Sequence, residues 1–473
     1  MPARRYDLIA VGGGAAGLVA SAGAAGLGAR VALVERARLG GECLWTGCVP
    51  SKALLACARA ARDARRAASY GIDVGDVAID FRRVRDHVRA AQARIEPHDS
   101  AERFRGLGVD VVIGTARFVG PRTLDVDGRR LEGRNIVVAT GSRPDAPQVP
   151  GLQDVPYLTN ETIFELDERP ASLLVLGAGP VGLELAQAFA GLGSAVTVVE
   201  AAPRVLPRED AEIASLLQSA LEAEGIRLLL GHEVRAAART AAGVALDVAG
   251  PRGEARLEAT ALLVATGRRS NHADLEPAAG GVDVGRDGIV VDDRLRTTAE
   301  RVWAAGDATG ILRFTHVADY QARLVVRNAL FPGSGRADYA AVPRVTFTEP
   351  ELGRVGLTEE EARERHGDAV RVWRHPLHDL DRAVADGCTT GLVKLVADRR
   401  GRLLGAHVLG PRAGEVVVAP TLALRHGLGL GKLAATVFPY PTYGEAVKQA
   451  ADAHVRARLT GFTRRLAAWL ATH

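Results

Sequence analysis

Aromatic residues, methionine and lysine are scarce in this sequence. Phe, Trp and Tyr make up 4% of the 473 residues, methionine occurs once, and the lysines are Lys52, Lys394, Lys432 and Lys448. Glycine and alanine are abundant instead. This composition argues against a ligand cage of aromatic side chains and favours close helix-on-sheet packing with glycine-rich nucleotide loops.

Long basic runs and long apolar runs are also absent. The net charge is +4 and the excess arginine is scattered, without interleaved aromatics, so no nucleic-acid partner is expected. No apolar segment reaches the ~20 residues that a membrane-spanning helix needs. The residues Met1 to Asp7 run directly into an apolar strand, which leaves no room for a signal peptide. We therefore expect a cytoplasmic protein.

The sequence has four cysteines, and two of them lie close together. Four residues separate Cys43 from Cys48, whereas Cys57 and Cys388 lack paired spacing and are interpreted as residues without a role. Zinc normally takes four ligands, so no metal site is predicted. In a reducing compartment a disulfide is more often catalytic than structural. The pair is therefore interpreted as a redox pair, with two inert thiols as the alternative.

The segment that carries this pair, Gly40 to Lys52, is bounded by glycines and leads into an apparent helix start at Pro50. A disulfide requires Cα atoms ~4.4–6.8 Å apart, which such a turn allows. Cys48 would then lie near the positive end of the helix dipole. That position lowers the pKa of a thiol and favours the nucleophilic thiolate.

Two segments repeat a pattern of strand, glycine loop, helix and strand, and an acidic residue closes each second strand at the same distance from the first glycine. Glycines allow a tight turn and close approach of a pyrophosphate, the helix N-terminus holds that group, and the acid binds a ribose hydroxyl. The sequence predicts two dinucleotide sites, with two βαβ units that merely pack as the alternative. The residues are Gly12, Gly14, Gly17 and Glu35 in the first unit and Gly177, Gly179, Gly182 and Glu200 in the second.

Matching strand-to-loop segments end in Ala-Thr-Gly late in each unit, and a further strand runs into Gly-Asp. The residues assigned to cofactor binding in these loops and in the cysteine segment are Gly41, Thr140, Gly141, Gly267, Gly306 and Asp307. Asp307 could bind a polyol or cap a turn. Two nucleotides and a dithiol imply an electron path in which hydride passes from a nicotinamide to a flavin, and electrons then pass to the disulfide.

Together these features resemble the flavoprotein disulfide reductases, a family that includes dihydrolipoamide dehydrogenase, glutathione reductase and mercuric reductase. The resemblance covers nearly the whole chain. It rests on both glycine fingerprints, the Gly-Gly-x-Cys-x-x-x-Gly-Cys segment with its Pro-Ser-Lys tail, both Ala-Thr-Gly segments and Gly306-Asp307. It implies a homodimer whose first unit binds FAD, with Glu35 on the adenosine ribose and Asp307 on the ribityl chain.

The resemblance also sets the domain organisation. Prolines near residue 150 mark a domain crossing, and from about Pro343 strands alternate with helices without a third glycine loop. The predicted fold class is α/β, with two Rossmann-like dinucleotide-binding domains and a C-terminal α+β dimerisation domain. The predicted ranges are 1–150 and 271–342 for the two parts of the FAD-binding domain, 151–270 for the NAD(P)-binding domain and 343–473 for the dimerisation domain.

Unequal roles follow for the two cysteines. By the resemblance, Cys48 would place its thiolate against the flavin, and Cys43 would exchange with the substrate. Lys52 would pair with Glu184 near the flavin and tune its reduction, with a solvated helix charge as the alternative for Lys52.

The second unit would bind the nicotinamide cofactor. Glu200 at its strand end favours NADH, because a carboxylate accepts a ribose 2′-hydroxyl and repels a 2′-phosphate. Arg204 and Arg208 follow closely and could accommodate a phosphate, so NADPH stays open. Relatives often have an aromatic gate within this fingerprint, where this chain has Pro180 and Val181.

The segment near the end of the chain bears on the substrate. Thiol-exchanging members have a pattern resembling His-Pro-Thr-x-x-Glu, in which the histidine is the acid-base and the glutamate orients it. Aligning Pro441, Thr442 and Glu445 places Tyr440 at the histidine position. Histidine titrates near pH ~6.5 and tyrosine near ~10, so Tyr440 is a poor proton shuttle at neutral pH. A tyrosine here is similar to mercuric reductase, where a metal ion is reduced.

Other departures limit that comparison. Mercuric reductase also carries a cysteine pair near its C-terminus, and this sequence has none there, which argues against a specialised mercury pathway. Glu42 stands where relatives usually have threonine. Trp45 would cover the disulfide, line an acceptor cleft or simply pack under the loop.

A stripe of apolar residues runs along the C-terminal tail. Its members are Val455, Leu459, Phe462, Leu466, Trp469 and Leu470. We expect the stripe to pack on the protein or on a dimer partner, with weak contact to a membrane surface as the alternative.

The function predicted from these features is FAD-dependent transfer of electrons from NADH or NADPH, through Cys43 and Cys48, to a metal ion or small oxidant. Dihydrolipoamide dehydrogenase or another disulfide reductase is an alternative that Glu200 suits and Tyr440 opposes. A diaphorase or quinone reductase would leave the cysteines idle. A nonenzymatic redox sensor would bind FAD without turnover.

Overall fold

The computed structural model describes residues 4–251, 253–333, 335–459 and 468–471. The chain divides into two compact units, each formed from discontinuous segments. The first unit comprises Met1–Gln148, Tyr157–Arg169 and Leu263–Asp338, and the second comprises Val149–Pro156, Pro170–Leu262 and Tyr339–His473. Helices and sheets are mixed in both units, which confirms the predicted α/β class. The predicted domain ranges stay a prediction.

A seven-stranded sheet forms the core of the first unit. Its parallel strands, in spatial order, are Asp110–Ile113, Val31–Glu35, Arg4–Val11 and Arg129–Val138, and Val302–Ala304 pairs with the end of the last of these. Thr123–Val126 and Ala116–Gly120 extend the sheet as antiparallel strands. Residues Leu8 to Val11 are at most 4% exposed, as expected for an apolar run covered on both faces of a parallel sheet.

A small antiparallel ribbon in the same unit pairs Ser142–Pro144 with Arg268–Ser270. These strands follow the two Ala-Thr-Gly segments, so the ribbon brings residues far apart in sequence to one place. The helices of the unit are Ala15–Gly26, Gly41–Trp45, Cys48–Arg66, Phe81–Asp99, Ala101–Gly106 and Thr315–Leu330.

Three sheets are found in the second unit. The first has the order Arg227–Leu230, Ala195–Glu200, Ser172–Leu176 and Ala261–Val264, and the unit boundary after Leu262 falls within the last of these strands. The second is a meander of Glu233–Thr240, Gly243–Gly250 and Gly253–Ala259. The third has the order Arg344–Thr346, Glu351–Gly356, Leu403–Gly410, Leu392–Ala397 and Arg371–Pro376. The helices are Pro180–Gly191, Ala211–Ala223, Glu359–His366, Asp381–Ala385, Ala413–Val416, Val418–Arg425, Leu430–Ala435 and Glu445–Ala457.

The C-terminal stripe is described only in part. Phe462 and Leu466 lie outside the described residues, so a continuous stripe stays a prediction. The described members Val455, Leu459, Trp469 and Leu470 are 41–62% exposed. Among the residues that the structure describes, no helix combines the length and apolar character that crossing a bilayer requires.

A buried lysine joins three acidic side chains in the second unit. Lys394 exposes 3% of its side chain, and its Nζ lies 2.8 Å from Asp210, 2.9 Å from Glu212 and 2.8 Å from Glu359. Burial alone would lower the pKa of Lys394, but the hydrogen bonds that it donates to these carboxylates raise its pKa above the usual value. Burial likewise would raise the pKa of Glu359, and hydrogen bonds from Lys394 and Arg363 lower it. The cluster is therefore fully ionised around neutral pH.

Lys394→Ala should destabilise the second unit by about 3 to 5 kcal/mol, because it leaves the buried carboxylate of Asp210 without its cation, whereas the partly exposed Glu212 and Glu359 keep Arg374. The raised pKa of Lys394 stabilises the folded state at pH values below ~10.4, and the lowered pKa values of the carboxyl groups stabilise it at pH values above ~4.3. The loss in the free energy of unfolding should therefore be largest between these two pH values and should shrink below about pH 4. Urea denaturation followed by circular dichroism measures it.

Lys448→Ala is the matched control. Lys448 lies 2.6 Å from Asp452 in a half-exposed pair one helical turn apart. Such a pair contributes only about 0.5 kcal/mol. Equal losses for the two variants would show that the Lys394 cluster is not a stabilising centre.

Candidate active site

The first glycine loop follows the strand Arg4–Val11. Gly12 has φ +113°, a conformation that favours glycine, and its N–H donates to Val34 O at 2.8 Å. The helix Ala15–Gly26 then begins after Gly14, which provides no side-chain cap. A Cβ at Gly17 would lie 1.8 Å from Gly12 O, so the helix and the loop touch directly. The open helix N-terminus and the bare backbone fit a pyrophosphate.

Glu35 closes this loop. Its Oε2 accepts from Gly13 N at 2.7 Å and its Oε1 accepts from Ala37 N at 2.9 Å. The carboxylate is therefore held at the edge of the glycine loop, where a ribose next to the pyrophosphate would lie.

The second glycine loop repeats this geometry in the second unit. Gly177 has φ +108° and donates to Val199 O at 2.8 Å, and Gly179 precedes the helix Pro180–Gly191 without a side-chain cap. A Cβ at Gly182 would lie 2.0 Å from Gly177 O. Glu200 accepts from Ala178 N at 2.7 Å and from Ala202 N at 2.9 Å. The two loops thus present the same cradle for a nucleotide.

The cysteine segment lies on the first of these loops. Gly40 N donates to Gly13 O at 2.9 Å, and a Cβ at Gly41 would lie 2.5 Å from Gly14 Cα. Trp45 is fixed by its indole N–H, which donates to Leu39 O at 2.7 Å. The segment that carries both cysteines is therefore fixed against the predicted pyrophosphate site.

Both cysteines of the pair are thiols in this structure. Cys43 is half-buried in the short helix Gly41–Trp45, and Cys48 is the exposed first residue of the helix Cys48–Arg66. The prediction that this helix begins at Pro50 is wrong by two residues, since the helix begins at Cys48 and Pro50 is its third residue. Proline is tolerated anywhere in the first turn, because the N–H groups there have no partner within the helix.

The two thiols differ in how readily they ionise. The pKa of Cys43 is raised well above that of an ordinary thiol, chiefly by its hydrogen bond to Cys48 and then by burial. Cys48 lies at a helix N-terminus, with its Sγ 3.5 Å from Thr315 Oγ1, and Thr315 begins another helix. Helix N-termini favour negative charge, so the position of Cys48 favours its thiolate.

Asp307 lies beside the antiparallel ribbon. Its Oδ2 accepts from Ser142 Oγ at 2.6 Å, and Arg268 Nε donates to the same Ser142 Oγ at 2.9 Å. The neighbouring loops are fixed by hydrogen bonds. Two join backbone atoms: Asn271 N donates to Gly141 O at 2.9 Å and Asp145 N to Gly267 O at 3.0 Å. Two involve side chains: Gly306 N donates to Gln321 Oε1 at 2.7 Å, and Thr140 Oγ1 donates to Asn271 O. Ser142 and Arg268 were not anticipated from the sequence.

Glu42, next to Cys43, is held by two groups from distant parts of the first unit. Arg268 donates to its Oε2, and Asn160 Nδ2 donates to its Oε1 at 3.0 Å. Burial raises the pKa of Glu42 to about 7, against the lowering effect of Arg268. The departure from the family's usual threonine was the sequence signal at this position, and no pattern pointed to Asn160.

Lys52 and Glu184 lie in different units, so their pairing stays a prediction. Within its own unit, Lys52 Nζ donates to Ser51 Oγ at 3.3 Å. Glu184 is 5% exposed and accepts from Phe347 N at 2.9 Å.

Tyr440 is exposed in the single chain. It is 68% accessible, and its hydroxyl donates to Asp381 Oδ2 at 2.7 Å. That hydrogen bond raises the pKa of Tyr440 above its usual value. Glu445 begins the next helix and accepts from Gln449 Nε2 at 3.3 Å. Tyr440 is therefore held protonated at neutral pH.

Known proteins are similar to this chain over most of their length. Residues 6–322 match the pyridine nucleotide-disulphide oxidoreductase family, and residues 342–451 match its dimerisation domain. Mercuric reductase from Streptomyces lividans is 41% identical, covering 94% of this chain and 96% of that protein. Dihydrolipoyl dehydrogenase from Thermus scotoductus is 36% identical, covering 95% and 97%. A Cu(II) complex of the HOCl-induced flavoprotein disulfide reductase RclA from Escherichia coli has a TM-score of 0.85 at 30% identity, covering 95% and 99%.

Proposed function

We propose, since this chain belongs to the pyridine nucleotide-disulphide oxidoreductase family, that its Cys43–Cys48 pair delivers electrons to a thiophilic metal ion or another small oxidant. The chain is an FAD-dependent oxidoreductase of that family, and its dimerisation domain supports a homodimer. We retain a cytoplasmic location as a prediction and assign no membrane role to the tail.

The residues of the first unit fit FAD. The cradle formed by Gly12, Gly14 and Gly17 would take the pyrophosphate, Glu35 would bind the adenosine ribose, and Asp307 would bind the ribityl chain. Bound FAD would accept hydride from the nicotinamide and supply two electrons to the cysteine pair. The fixed contact between Gly41 and Gly14 supports this assignment, because it sets the cysteine segment on the same cradle.

The cysteines would then divide the chemistry. Two electrons and one proton break the disulfide and give a thiol on Cys43 and a thiolate on Cys48, in keeping with their unequal tendency to ionise. One metal ion that takes two electrons, as Hg(II) does, or two ions that take one electron each, as Cu(II) does, restores the disulfide, and the proton of Cys43 is released. We expect Tyr440 and Glu445 of one subunit to lie over the cysteine pair of the other.

The observation that carries the choice of acceptor is the state of Tyr440. Thiol exchange needs a group that accepts and returns a proton near neutral pH, and the hydrogen bond to Asp381 moves the pKa of Tyr440 further from that range. Transfer of electrons to a metal ion needs no such group. The mercuric reductase from Streptomyces lividans and the Cu(II) complex of the Escherichia coli protein support this choice.

Anaerobic reduction with NADH, followed by Hg(II), Cu(II) or quinones as acceptors, tests the proposal, and a separate assay offers dihydrolipoamide as the electron donor with NAD⁺ as the acceptor. We expect turnover with the metal ions and none with dihydrolipoamide. Substantial NAD-linked oxidation of dihydrolipoamide would instead select dihydrolipoamide dehydrogenase, which the relative from Thermus scotoductus keeps as a second candidate.

NADH should be a better reductant than NADPH. Glu200→Gln should lower kcat/KM for NADH by about tenfold, because it removes one charge-assisted hydrogen bond to the ribose. The amide oxygen still accepts one of the loop N–H groups that Glu200 now binds. Stopped-flow reduction of the holoenzyme by NADH and by NADPH gives the ratio of kcat/KM for the two nucleotides.

Arg204→Gln is the control for this prediction. The Arg204 guanidinium donates to Pro207 O at 2.9 Å and lies 3.8 Å from Glu360, so it is engaged within the second unit. We expect no change for either nucleotide. If Arg204→Gln selectively lowered kcat/KM for NADPH, the choice between NADH and NADPH would depend on Arg204 and not on Glu200.

A further inference from the structure

We infer that Glu42 is a positioning residue of the redox site: it fastens the cysteine segment to Arg268 and Asn160, and its negative charge opposes the thiolate of Cys48. This inference rests on the proposed function, because it concerns the thiol that would donate electrons.

The first support is a closed set of hydrogen bonds. Asn160 Nδ2 donates both to Glu42 Oε1, at 3.0 Å, and to Thr46 O, at 3.1 Å. Arg268 donates to Glu42 Oε2 and, through Nη1, to Asn160 Oδ1 at 3.4 Å. Glu42 precedes Cys43 and Thr46 lies two residues before Cys48, so these bonds tie both sides of the turn between the cysteines.

The second support is the link from this turn to Asp307. Arg268 Nε donates to Ser142 Oγ at 2.9 Å and lies 4.0 Å from Asp307 Oδ2. The guanidinium of Arg268 therefore pairs with two carboxylates, that of Glu42 in the cysteine segment and that of Asp307 after the sheet strand. Removing the charge of Glu42 would leave Arg268 to Asp307 alone.

The third support is electrostatic. Burial raises the pKa of Glu42, Arg268 lowers it, and the charges of Asp307, Cys48 and Glu161 raise it further, for a value of about 7. Since the interaction between two charges acts equally on both, an ionised Glu42 disfavours an ionised Cys48. Glu42 gains its charge around neutral pH, so its opposition to the thiolate grows as pH rises through 7.

Alkylation of Cys48 by iodoacetamide, followed by mass spectrometry of its peptide, tests the inference in FAD-loaded Cys43→Ser protein between pH 5 and 9.5. In the Glu42→Gln variant the alkylation midpoint should fall by about one pH unit, which makes the reaction several-fold faster at pH 7. The parent protein should show an additional inflection near pH 7 that the variant lacks. This inflection is measurable even if Glu42→Gln fails to fold.

Two further variants separate charge from structure. Glu42→Asp keeps the charge and should restore the parent midpoint. Glu161→Gln removes a neighbouring charge without touching the cysteine segment and should shift the midpoint far less. Equal midpoints in Glu42→Gln and the parent, or identical shifts in Glu42→Gln and Glu42→Asp, would overturn the inference. Alkylation needs no acceptor, so its result is independent of which acceptor the enzyme reduces.

Discussion

Serine in place of Cys48 should abolish acceptor reduction by the NADH-reduced enzyme. Electrons can leave the flavin through the disulfide only if both sulfurs are present, and loss of a catalytic nucleophile typically costs roughly four orders of magnitude or more. Cys43→Ser should cause a loss of the same size. Anaerobic stopped-flow measurement of metal-ion reduction, with oxygen excluded to suppress direct reoxidation, gives the rates.

The two serine variants should differ in their spectra. Cys43→Ser keeps the thiol at the helix N-terminus, so it should show long-wavelength absorbance between the Cys48 thiolate and bound FAD. Cys48→Ser should lack that absorbance, because it removes the thiol assigned to the flavin, and burial still raises the pKa of the remaining Cys43 thiol. The opposite pattern would exchange the roles of the two cysteines.

Cys57→Ser and Cys388→Ser are the matched controls, since both residues are half-buried cysteines outside the cysteine segment. Each should keep turnover within about twofold of the parent enzyme, as expected for a change of one atom away from the site. Undiminished turnover in Cys43→Ser would contradict the cysteine pathway and select a diaphorase or quinone reductase, in which the flavin serves the acceptor directly.

The nucleotide loops were predictable because their information is local. Gly12, Gly17 and Glu35 lie within 24 consecutive residues, and their spacing alone predicts that a strand, a turn and a helix meet in a glycine loop. The same spacing at the second loop reproduces the two hydrogen bonds of the carboxylate, which are 2.7 and 2.9 Å long in both loops.

The surroundings of the cysteines were not predictable in the same way. Arg268 reaches Glu42 from a position 226 residues later, through a ribbon of two three-residue strands that carry no period of their own. Thr315 meets Cys48 from 267 residues away, at the start of a helix. Pairing between such distant segments depends on tertiary contacts formed by the folded chain, which neither a local propensity nor a short motif encodes.

A methyl group at Gly17 should remove FAD, and the same change at Gly182 should remove the nicotinamide nucleotide. The added Cβ would lie 1.8 Å from Gly12 O and 2.0 Å from Gly177 O, respectively, and both neighbours are backbone atoms that cannot rotate away. The loop must move, at a cost of about 3 kcal/mol or more, which weakens binding about a hundredfold or more. FAD content after desalting and NADH titration of the holoenzyme measure the two effects.

Gly26→Ala and Gly431→Ala control for the loss of glycine itself, because each lies in a helix with no atom within 4 Å of the added Cβ. Both should retain FAD and NADH.

The decisive comparison is between the two loop variants. Gly182→Ala should keep its FAD and its thiols and should still be reduced by dithionite, but it should not be reduced by NADH. This result would place the nicotinamide nucleotide at the second loop. If Gly182→Ala binds NADH as tightly as the parent, the second loop is a packing element, and hydride must enter the flavin by another route.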